Sequence, residues 1–149
     1  MSTVDAAVQT VHLSVATLWV GSVLFLTLVV LPVARAGGVD AAPLERIVGR
    51  SRTISRVSGL LVLLTGARLT GVGYTVETLA STTRGHLVLA MAVLWLLVAL
   101  LVEVGVVRLG DGLREKRVRA PAREGLRWFR LATLVALALF VDVGLLAAG

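Results

Sequence analysis

The sequence predicts an all-α integral membrane protein, a four-helix bundle whose helices run up, down, up and down. Three observations predict it. Of the 149 residues, 57% are hydrophobic and 16% charged, a balance that leaves a soluble domain of this size too little polar surface to cover itself. The apolar residues gather into four runs close to the roughly 20 residues that cross a hydrocarbon core about 30 Å thick. The basic residues cluster in two of the connections between those runs. Lipid offers no partner for a backbone amide, so each run is expected to be helical.

The first span is expected over about 7–33. It is too long for a signal-peptide core, has no basic stretch ahead of it and no small-residue cleavage site before its end. The second is expected over 54–73, the third over 86–107 and the fourth over 128–148, so that 1–149 reads as one transmembrane domain. Asp40 can cap a helix with Pro43 in its first turn, running through Arg50 into the second span. Ser81, Thr82 and Thr83 offer caps before the third span, and Pro121 can start a helix that enters the fourth past Arg127 and Trp128. Gly59 and Gly66, with Ser58 and Thr65, form a small-residue seam for close helix approach. Trp128 and Phe129 read as an interfacial aromatic belt.

The chain holds 15 Lys and Arg against 9 Asp and Glu. All but Arg68 and Arg84 belong to the first-to-second and third-to-fourth connections and their flanks. That asymmetry reports topology: both basic connections in the cytoplasm, both termini outside, in a multi-pass protein of the cell membrane. The bilayer is the expected partner, with a second copy or a partner membrane subunit left open, and nothing points to nucleic acid. Cysteine is absent, which excludes disulfides, thiolate metal sites and thiol redox pairs.

Each span contributes ionisable groups at apolar depth, where isolated charge is costly. His12, Arg68, His86 and Asp142 fall toward the outer ends of the four spans in turn, and four helices can bring such groups to one site. Imidazole ligates haem iron, copper or zinc. His12 and His86 are therefore the candidate ligands, Arg68 a candidate partner for haem propionates, and Trp19, one heptad from His12, a candidate pocket wall. Met91 adds a thioether suited to reduced copper. The bland alternatives stand beside these: histidines that bond a carbonyl or headgroup, and an Arg68 that snorkels. Arg68 and Asp142 are expected to pair, and Glu103 with Arg56 to form a structural salt bridge. No hydrolase triad, phosphate loop or dinucleotide fingerprint is present, so no enzyme class is indicated.

Three stretches carry a family resemblance: VHLSVATLWVGSVLF at 11–25, RSRTISRVSGLLVLLTGARLTG at 50–71 and TTRGHLVLAMAVLWLLVAL at 82–100. The order of His12, Trp19 and Gly21, then Arg52, Arg56, Thr65 and Gly66, then Gly85, resembles the copper-resistance D (CopD) family of membrane proteins. The resemblance implies copper handling or transport, through an outer-side site containing histidine. The chain is also similar to the four-helix, haem-associated membrane protoporphyrinogen oxidases, which have a His in the first helix and a His and a Lys in the third. His12 and His86 match that pattern, while the third span here contains no lysine. Copper handling, a haem-binding redox protein or oxidase, and an accessory subunit without chemistry of its own are the three expectations.

Overall fold

A computed structural model describes residues 2–148. These are almost wholly helical and contain no strand. α1 spans Thr3–Phe25, α2 Leu31–Arg35, α3 Ala41–Gly73, α4 Val76–Ser81, α5 Thr83–Arg114 and α6 Arg119–Ala148. A π-helical turn, Leu26–Val30, joins α1 to α2 without a break, so Thr3–Arg35 is one rod. That rod, α5 and α6 are each long and apolar enough to cross a membrane. α3 is just as long, but Arg52, Arg56 and Arg68 interrupt its apolar run, and it does not reach the same hydropathy.

Helix ends lie outside the expected span limits because helices continue into the polar connections. Ser2 caps α1 through a reciprocal capping box with Asp5, so the first helix begins before Ala7. Thr82 accepts from the Gly85 amide and starts α5 three residues before His86. Pro121 falls in the first turn of α6, as expected of a helix that runs past Arg127 and Trp128 into the fourth span. Asp40 precedes α3 as expected, but its side chain makes no capping bond. The Tyr74–Thr83 connection holds a further short helix, α4, closed by a capping box between Thr75 and Thr78.

The π-helical turn sits just before a proline. Pro32, just beyond it, has no amide to donate. The Leu31 amide meanwhile reaches back to the Leu26 carbonyl, the wider spacing of a π turn. Thr27 ties this turn across to α6: its hydroxyl lies 2.8 Å from the Val23 carbonyl and 3.3 Å from that of Phe129, and Thr133 donates to it at 3.1 Å. α2 ends at Gly37, whose φ of +84° is the left-handed value that suits glycine.

α1 packs on α3, α3 on α5, and α5 on α6 in the most extensive interface, while α1 and α2 also touch α6. Cross-bonds give the directions. Asp5 near the start of α1 meets Arg68 near the end of α3, and Arg84 at the start of α5 donates to the Leu146 carbonyl near the end of α6. The start of α1, the end of α3, the start of α5 and the end of α6 thus share one end of the molecule, here the terminal end. The basic connections occupy the other. The core, centred on Trp19, Leu31, Leu44, Val98, Leu109 and Phe129, lies toward the basic end.

Gly59 and Gly66 face neighbouring helices, but the tightest inter-helix glycine contacts are elsewhere. A Cβ on Gly59 would meet only the Trp95 ring at 3.8 Å, and one on Gly66 the His12 ring at 3.1 Å. On α5, by contrast, a Cβ on Gly112 would stand 2.1 Å from Pro121, and one on Gly105 2.9 Å from Phe129. The α5–α6 contact is where small residues let two helices close. Gly85 serves α4 in the same way, since its Cβ would fall 2.3 Å from the Thr78 carbonyl oxygen.

Candidate functional site

Toward the terminal end the four long helices separate around a cavity of about 510 Å³. α1 contributes His12, Ala16 and Val20, α3 Val62 and Gly66, α5 Val88, Met91 and Trp95, and α6 Leu139 and Val143. Almost all of this lining is hydrocarbon. An apolar cavity with a few polar groups is the usual form of a small-ligand site.

His12 is the polar centre of that wall. Its Nδ1 lies 2.8 Å from Thr65 Oγ1 on α3. The Thr65 hydroxyl has one proton, and the Leu61 carbonyl takes it at 2.6 Å. The Thr65 oxygen therefore accepts, and His12 Nδ1–H donates. This network assigns the neutral tautomer with its lone pair on Nε2. No side chain among the described residues bonds Nε2. An imidazole held through one nitrogen and basic at the other has the arrangement of a metal-ligating histidine. Gly66 gives the ring its room, since any larger residue would press on Cε1.

Of the other candidates, Met91 lines the same cavity as His12. His86 does not. It is exposed, with Nε2 2.8 Å from the Ala80 carbonyl oxygen of α4, so the structure does not bring the two histidines to one cavity. The reason is register: α4 folds back over the first turn of α5 and engages the ring locally. Trp19 is buried below the cavity, donating to Ser55 at 2.8 Å, and belongs to the α1–α3 contact rather than to the lining.

Arg68 and Asp142 do not pair. Arg68 bonds Asp5 on α1 at 3.0 Å, because α1 and not α6 is the neighbour of α3 at this level. Asp142 is buried on α6, its Oδ2 without a partner, as is Trp95 Nε1 on α5. Glu103 on α5 does meet Arg56, as expected, and Arg52 as well, each at 2.6 Å, a fork that locks α3 to α5 near the basic end. Among the described residues no group of three His, Cys, Asp or Glu stands ready to hold a metal ion.

Sequence reasoning missed Thr65 as a partner, Trp95 as a lining residue and Thr27 as a tie between helices. Trp95 falls where Gly59 of α3 leaves space, and that pairing across helices has no sequence spacing to announce it. Compared with known proteins, the chain matches no family model, no curated protein and no solved structure.

Proposed function

We propose that this is a four-span membrane protein of the cell membrane that binds a large apolar ligand of the haem class between its helices, with His12 as the iron ligand. The carrying observation is the roughly 510 Å³ apolar cavity with an oriented imidazole in its wall. The residues suit a macrocycle better than a bare ion. Hydrocarbon lining accepts a flat apolar ring, whereas a naked cation needs several donors. His12 and Met91, which line the same cavity, are the residues that would hold the iron. Bound haem would supply one-electron chemistry. Arg68, bonded to Asp5, and Arg84, bonded to the Leu146 carbonyl, both lie at this end of the molecule but neither lines the cavity.

The second reading is copper handling of the CopD type, which the sequence resemblance suggests. The shared exposure of His12 and Met91 to one cavity favours it, since imidazole and thioether together suit reduced copper. Both readings require the up-down-up-down bundle with α3 as the fourth span. The cross-bonds of Arg68, Arg52 and Arg56 to neighbouring helices support that role by neutralising the charges that lower its hydropathy. The basic connections are then cytoplasmic and both termini outside.

The test is an optical titration of the detergent-purified protein with haemin, beside a competition assay for Cu(I). The haem reading expects a shifted Soret band in the wild type that His12→Ala loses and His86→Ala keeps. Copper retention dependent on both His12 and Met91, without a Soret band, replaces it with the second reading. Neither signal leaves an accessory membrane subunit.

A further inference from the structure

At the basic end, Glu124, Arg127, Trp128 and Leu131 follow one another at helical spacing and share a face of α6. Arg108 joins them from α5. The packing of Gly105 on Phe129 and of Leu109 on Gly125 sets it level with Arg127. These five residues line an open groove of about 480 Å³, apart from the cavity around His12. Neither Arg108 nor Arg127 has a carboxylate partner among the described residues, although Arg52, Arg56, Arg68, Arg114 and Arg117 each have one.

Depth and charge define what fits. The groove lies where the apolar parts of α5 and α6 give way to basic connections, the level at which lipid phosphates sit. Leu131, exposed, continues the groove toward the apolar part of α6. Trp128, half-buried, has the amphipathic ring that settles at the glycerol level. Two guanidiniums and one carboxylate leave a single positive charge, matched by one phosphodiester. Glu124 can only accept hydrogen bonds when ionised, so the complementary headgroup must donate. Two guanidiniums toward a phosphate make strong charge-assisted bonds.

We propose that this groove binds one anionic glycerophospholipid whose headgroup carries hydroxyls, of the phosphatidylglycerol type. Arg108 and Arg127 hold its phosphate, Glu124 accepts from a headgroup hydroxyl, and an acyl chain runs along Trp128 and Leu131. The site is independent of any ligand in the other cavity.

Native mass spectrometry of delipidated protein tests it, with phosphatidylglycerol, phosphatidylcholine of the same chains and inorganic phosphate as probes. One phosphatidylglycerol should be retained, about tenfold more tightly than phosphatidylcholine, equivalent to one decade in Kd. Arg108→Gln and Arg127→Gln should each abolish that preference, while Arg114→Gln, at the end of α5 and paired with Asp111, should keep it. In the wild type itself, raising the salt concentration should weaken phosphatidylglycerol and leave phosphatidylcholine unchanged. An undiminished preference in the Arg108 and Arg127 variants overturns the site. So does a preference indifferent to salt. Inorganic phosphate binding as tightly as the lipid would make it a free-anion site instead.

Discussion

At Thr65 a single hydroxyl proton decides which nitrogen of His12 is basic. The proton goes to Leu61, so the ring must donate from Nδ1 and present Nε2. Thr65→Val removes the acceptor while keeping the shape. Ligand affinity in the cavity should fall by about 10-fold to 100-fold, the usual cost of losing a group that orients a ligating histidine. Thr65→Ser should retain it, and haemin or Cu(I) titration reads both. Gly66→Leu acts by volume instead, pushing on a ring that already lies 3.1 Å from where its Cβ would be. It should abolish ligand binding and lower thermal stability in detergent; unchanged behaviour would mean that His12 can swing clear. At this scale the sequence was only half legible. His12 is conspicuous as a rare polar group at apolar depth. Its partner lies 53 residues away on another helix, and no local spacing joins them. His86 is equally conspicuous, yet a fold-back helix decides its environment.

Among the elements, the α5–α6 pair depends on glycine. Gly112→Ala should cost about 1–3 kcal/mol, the range of overpacking at a closed contact, because its Cβ meets the rigid Pro121 ring. Gly110→Ala, two residues away with nothing within 4 Å, should be neutral or stabilising. Thermal denaturation of the two variants in one detergent separates packing from helix propensity; equal stability would show that the helices can slide apart freely. Helix existence was legible because apolar runs and lipid allow nothing else. The limits were legible only in part: Thr82 was a visible cap and does start α5, whereas the capping box of Ser2 with Asp5 extends α1 into a polar segment that hydropathy leaves out. The seam was assigned to Gly59 and Gly66 on spacing alone. Spacing shows which small residues share a face, and not whether a backbone or a side chain lies across from them.

For the whole molecule, the described residues place the basic connections at one end and the start of α1 with the end of α6 at the other. Reporter fusions should therefore give a cytoplasmic signal within 111–119 and an extracytoplasmic one after the end of α6. A cytoplasmic signal from both would mean that α6, the only helix between the two sites, does not cross, and would overturn the four-span reading. Charge asymmetry lets the sequence set this expectation of orientation, whereas the cavity has no sequence signal. It arises where four helices diverge above a core of large side chains, a property of their packing as a set.

The ion pairs of α3 bear on how such a chain is made. Three of its arginines are answered on either side, Arg68 by Asp5 of the helix synthesised before it and Arg52 and Arg56 by Glu103 of the helix synthesised after it. On the four-span reading, α3 leaves the ribosome with two of these three arginines, Arg52 and Arg56, still unanswered. It should therefore wait at the insertion machinery until α5 arrives, the two then entering lipid as a pair. Chains truncated after Thr75 should integrate α3 poorly, and chains carrying α5 should do so efficiently unless Glu103 is replaced by Leu. A glycosylation-site assay reads that difference directly, and full integration of the truncated chain would show that α3 partitions on its own.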